Sequence, residues 1–99
     1  MIFHLVERAR LVWDADDRYR PASLAGEGFI HASYGDEVAE SARLYFAADA
    51  DLVVVAIDPD KLDVRLEVAT TPRGPMPHIH GPLPRAAVVS VVSLADHTP

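Results

Sequence analysis

The chain has 99 residues, of which 49% are hydrophobic and 24% charged, with a formal net charge of −6 and no cysteine. Disulfides and thiolate metal centres are excluded, and the acidic balance argues against non-specific nucleic-acid binding, which rests on basic surface. The length suits a single core, so one domain over residues 1–99 is expected.

Residues 2–6 read as a first strand, with Ile2, His4 and Val6 on one face and Phe3 and Leu5 on the other. No basic region opens the chain and no apolar run approaches the ~20 residues of a membrane span, so a cytoplasmic protein without a signal peptide or membrane partner is expected. Ala9, Leu11, Val12 and Trp13 supply apolar positions for a helix over residues 7–16. Residues 17–27 form a connection in which Pro21 and Ser23 allow one helical turn around residues 22–25. Gly26 and Gly28 bracket the entry to a second strand.

That strand covers residues 29–33, with Phe29, His31 and Ser33 on one face and Ile30 and Ala32 on the other. Ser33 and Asp36 have capping-box spacing. Val38, Ala42, Tyr45 and Phe46 then recur at i, i+4, i+7 and i+8, which predicts a core-facing helix over residues 35–47. The unbroken Val-rich run 52–57 predicts a central strand buried on both faces, and Asp58-Pro59 starts a single turn over residues 58–62. Val64, Leu66 and Val68 alternate with Arg65 and Glu67 as a half-buried strand. Three prolines and a glycine make residues 70–77 a loop, residues 78–80 form a short strand, and residues 86–94 form the last strand before a polar tail carrying His97. The sum is an α+β domain, a small mixed β-sheet of about six short strands with two helices.

Four of the five histidines lie in short apolar runs that read as strands. A polar ring among apolar neighbours must find a partner or a ligand, so one shared site is expected. His4 is either a satisfied core histidine or part of that site. His31 and Ser33 share a strand face. Ser33 caps the following helix, contacts a ligand, or does both, because a helix start beside a site favours anions. His78 and His80 also share a face, at a spacing that suits two ligands of one metal ion. Glu67 is either solvent-facing or an acid projecting into a cleft, and Arg65 shares its face. Arg18 and Arg20 are the one hint of a cationic pocket, beside Asp14, Asp16 and Asp17. His97 reads as a surface residue. His31-Ala32-Ser33 is the single His-x-Ser triplet, which sets aside two-histidine phosphoesterases, and no phosphate loop, dinucleotide fingerprint or nucleophile elbow is present.

The strings Tyr19-Arg20-Pro21-Ala22-Ser23-Leu24 and Glu27-Gly28-Phe29-Ile30-His31-Ala32-Ser33 resemble the signature of a small bacterial family, domain of unknown function 952. Pro77-His78-Ile79-His80-Gly81-Pro82-Leu83-Pro84 is similar to its second signature, in which an aromatic usually stands at His80. His4 and Glu67 fit the same pattern. That family is in turn similar to the ADP-ribosyltransferase fold of poly(ADP-ribose) polymerases and RNA 2′-phosphotransferases. The resemblance implies NAD or an ADP-ribosyl nucleotide as ligand and no resident metal. His4, Arg20, Ser23, His31, Ser33 and His80 would hold it, and His31, His78 and Glu67 would act as acid, base or charge stabiliser. Aligned on Gly28, those enzymes' tyrosine falls on Ile30; aligned on the His-x-Ser end, its role falls on His31. Two other readings stand beside this one: a metal-dependent hydrolase built on His4, His31, His78 and His80, and a non-catalytic binding module in which the histidines fix a small polar core.

Overall fold

The computed structural model describes residues 1–98. Eight strands and two α-helices are arranged as three antiparallel sheets. The first joins β1 (Ile2–Glu7), β4 (Leu52–Ile57) and β8 (Val88–Ser93) in the order β1-β4-β8. The second is a two-residue pairing of β2 (Arg18–Tyr19) with β7 (Leu83–Pro84). The third joins β3 (Ile30–His31), β6 (Gly74–His80) and β5 (Arg65–Thr71) in the order β3-β6-β5. The α+β class agrees with expectation. The single mixed sheet does not, because every strand pair among the described residues is antiparallel.

All six residues of β4 are buried, as an apolar strand lying between two others requires. In β1 the buried positions are Ile2, His4 and Val6, following the two-residue period. Helix α1 (Ala22–Glu27) ends where Gly28 turns left-handed at φ 87°. Helix α2 (Val38–Tyr45) follows a 3₁₀ turn at Gly35–Glu37. Its buried face is Val38, Ser41 and Ala42, and it stops where Phe46 becomes extended.

Three local expectations are corrected. Residues 7–16 do not form a helix: β1 runs on to Glu7, a 3₁₀ turn spans Arg8–Arg10, and the chain then opens. The Asp14 carboxylate accepts the main-chain N–H groups of Asp16 and Arg18, and this local bonding displaces the helical ladder. Ser33 does not cap α2; the N-cap position of the preceding turn is Tyr34, which makes no side-chain cap. Nor is 70–77 a loop. It is a hairpin in which Thr71 pairs with Gly74 across Pro72-Arg73, with Gly74 at φ 93°.

The prolines of β6 fit that hairpin for a reason that lies in the neighbouring strand. Alternate residues of a strand turn their main-chain groups to the same edge. Pro77 C=O accepts Ala32 N–H, so Pro75 and Pro77 face the β3 edge. β3 has only two residues: at Pro77 the contact is the single bond from Ala32, and Pro75 lies beyond the paired stretch.

Gly81, in the turn between β6 and β7, is tightly packed: a Cβ there would lie 2.6 Å from Val64 Cγ1 and 2.8 Å from its Cβ. Val64 is stiff at χ1 and cannot swing aside. Gly81→Ala is expected to lower stability by about 1–3 kcal/mol. Urea denaturation measures this as a lower midpoint at unchanged slope.

Candidate functional site

A cleft of about 620 Å³ opens between the free edge of β1, the sheet β3-β6-β5 and the C-terminal end of α2. It exists because the two sheets touch at one point and then separate. Phe3 N–H donates to Ser33 C=O at 2.9 Å, and Ser33 N–H donates to Phe3 C=O at 2.7 Å. An antiparallel ladder would next pair Leu5 with His31. Instead, His31 C=O accepts from His4 Nδ1–H at 2.6 Å, and β3 turns away to pair with β6. By strand parity the N–H and C=O of Leu5 face the same edge as those of Phe3. Among the described residues no strand lies there to meet them, and Leu5 lines the cleft.

The His4 ring is 6% exposed and both its nitrogens are engaged. His31 C=O can only accept, so Nδ1 carries the proton. Nε2 therefore accepts from Tyr19 O–H, at 2.7 Å. Burial pushes the His4 pKa down to about 4, which keeps the ring neutral and this tautomer in place. Burial also pushes the Tyr19 phenol up to about 12. His4 thus holds β1, β3 and β2 together. No ring nitrogen is left for a metal ion, and the four-histidine metal cluster does not form. Among the described residues no group of three or more His, Asp or Glu side chains is placed to bind a metal ion.

The other strand histidines cluster on the open face of the third sheet. The register aligns His31, His78 and Glu67 as one row across β3, β6 and β5. Phe29 lies against all three imidazoles: it stacks on His78 at 3.9 Å and 10°, and its centroid is 4.7 Å from that of His31 and 5.7 Å from that of His80. The His31 and His78 rings are 5.7 Å apart. His31 Nε2 meets Glu27 Oε2 at 3.0 Å. His78 is held below the ordinary histidine value, first by partial burial and then by the neighbouring His31 charge. His80 Nε2 bonds Glu67 Oε1 at 3.0 Å, and this bond leads the effects that hold the Glu67 carboxyl below its usual range. Arg65 adds to it from 3.2 Å.

His4, His31, His78 and Ser33 line the cleft, and His80 with Glu67 sits beyond Phe29 on the same face. Arg20 and Ser23 do not line it; Arg20 pairs with Asp14, and Ser23 lies on α1. His97 is not a free tail residue: it packs edge-on to Phe3 at 5.0 Å and bonds Gly35 C=O at 3.3 Å. Tyr45, expected in the core-facing stripe, and Ser41 and Arg73, to which the sequence assigned no site role, also line the cleft. Tyr45 is 67% exposed although its spacing reads as core, because α2 ends there, over the cleft mouth. Arg73, between Pro72 and Gly74, reads as part of a turn. Its guanidinium nevertheless folds inward to Ser41 and Glu37.

A model of the family described as "Protein of unknown function (DUF952)" matches residues 6–91. The crystal structure of protein CC0527 from Caulobacter crescentus is similar to this fold, with a TM-score of 0.79 and 31% identity over 99% of this chain and 91% of that one. A double mutant of the same protein gives a TM-score of 0.73 at the same identity and coverage. Among curated proteins none matches the chain.

The neutral His4 ring links stability to pH. Above about 6.5 both folded and unfolded chains carry it uncharged; between about 6.5 and about 4 only the unfolded chain takes up the proton. Stability is therefore expected to fall across that window as pH is lowered, by up to about 3 kcal/mol. His4→Asn, which keeps a donor but does not titrate, should lose that portion of the slope. Urea melts of both proteins at several pH values measure it; equal slopes would refute the assignment.

Proposed function

The chain belongs to the DUF952 family, and we propose that its cleft binds a nucleotide of the NAD or ADP-ribosyl class. The observation that carries this reading is the unpaired main chain of Leu5 at the cleft wall. A primary carboxamide offers an acceptor for Leu5 N–H and a donor for Leu5 C=O, the two bonds that the split ladder leaves unmade. Nicotinamide carries such a group. The resemblance to ADP-ribosyltransferases belongs to this reading and supports it.

Within it, His31 and His78 flank the ligand, and Phe29 fixes the plane of His78. A neutral His78 accepts a proton from a hydroxyl or water brought to the ribosyl carbon. The Glu67 carboxylate, held by His80 and Arg65, stands in the same row and faces the positive charge that develops at that carbon. His4 lines the cleft and acts through the architecture by opening the ladder; with both ring nitrogens engaged, it offers the ligand no ring hydrogen bond.

Calorimetry with NAD, ADP-ribose and nicotinamide tests this. The wild-type chain should bind NAD with a Kd of about 1 mM or tighter, and His31→Ala should weaken it about fivefold or more. Leu5→Pro removes the outward N–H from an edge strand, a position where proline is tolerated, and should abolish nicotinamide binding while the melting temperature reports the fold. Absence of NAD binding at about 10 mM ligand would overturn the proposal.

A further inference from the structure

At the α2 end of the cleft, three polar side chains form a group that the histidine row does not use. Ser33 comes from the residue after β3, Ser41 from the buried face of α2, and Arg73 from the β5–β6 turn. Ser33 and Ser41 are 7% and 6% exposed, and their hydroxyl oxygens lie 3.0 Å apart. Arg73, with its side chain 18% exposed, donates from Nη1 to Ser41 Oγ at 2.9 Å. Its Nη2 donates to Glu37 Oε2 at 3.0 Å.

The donors of this group outnumber its acceptors. The two hydroxyls carry two protons, and one of them makes the Ser33–Ser41 bond. Arg73 brings only donors. One O–H of the pair is therefore left without an acceptor in the protein, whichever serine donates, and it lies on the cleft wall. That O–H is free to donate to a group that fills the cleft. Beside it stands a planar guanidinium whose fork matches an oxyanion. What is missing is a compact ligand group rich in acceptors.

We propose that Arg73, Ser41 and Ser33 form a phosphate-binding subsite at the α2 end of the cleft. The Glu37 carboxylate occupies the guanidinium in the free protein and gives way to the phosphate. The subsite takes a phosphate monoester or pyrophosphate; the free hydroxyl donates to one oxygen and Arg73 to the others. It deepens the nucleotide reading and rests on it, since it supplies the contact for the phosphates of the same ligand.

Calorimetry with inorganic phosphate and with pyrophosphate separates the two ideas, because neither probe has a carboxamide and nicotinamide has no phosphate. Wild type should bind pyrophosphate in the range of about 1 mM, Arg73→Gln should lose about tenfold, and Ser41→Ala about threefold. Glu37→Gln frees the guanidinium and should tighten binding about threefold. This variant keeps Arg73 in place, so it carries the test should Arg73→Gln unfold. Loss of pyrophosphate binding in Glu37→Gln, affinities equal in all variants, or no binding by wild type at about 20 mM would each overturn the subsite. Pyrophosphate binding without nicotinamide binding would keep the subsite and refute the carboxamide contact alone.

Discussion

One hydrogen bond decides the shape of this molecule, the donation from His4 Nδ1 to His31 C=O. Without it, β1 and β3 have the register to continue as a ladder from Phe3–Ser33 to Leu5–His31, and the first and third sheets would merge into one. The imidazole takes the carbonyl, and Tyr19 takes the far side of the ring. Three chain segments distant in sequence are thereby tied to a side chain in the core. The cost of burying an imidazole is met by two good bonds and a fixed neutral tautomer. The cleft is the space this wedge keeps open.

That wedge also sorts the histidines by role. His4 is enclosed and chemically quiet. His31 on β3 and His78 on β6 stand on the open face of the third sheet. Phe29 holds their spacing, and Glu67 with His80 extends the polar row behind them. The opposite face of the same strands, Ile30 and Ile79, is fully buried. The alternation of a strand thus puts core on one side and chemistry on the other, and a chain of modest length builds both from the same few residues.

The parts legible in sequence were those fixed by local period. The face shared by Ile2, His4 and Val6, the buried run 52–57 and the helical positions Val38 and Ala42 follow from spacing alone. The hairpin of β5 and β6 was not legible, because Pro75 and Pro77 read as breakers. Whether a missing N–H matters depends on how far the adjacent strand extends, which no local window contains. The aspartates near residue 14 hid their effect in a similar way, since the apolar spacing around them fits a helix until the Asp14 carboxylate captures two amides. At the site, apolar surroundings marked His31 and His78 as ring positions. The same signal marked His4, whose surroundings differ only in what the other strands bring to it. Arg73 and Ser41 gave no sign, because a turn arginine and a helix serine are ordinary until the fold places them against one another.

The prolines of β6 have a consequence for how anything approaches this protein. Beyond Ala32, which covers Pro77, the edge of β6 presents Pro75 with no amide proton to offer. An extended peptide arriving there finds an acceptor without a donor and cannot build a ladder. That stretch of the β6 edge is thus closed to β-augmentation by a neighbouring chain, and the main-chain groups left open to a guest are those of Leu5 on the edge of β1 at the cleft wall.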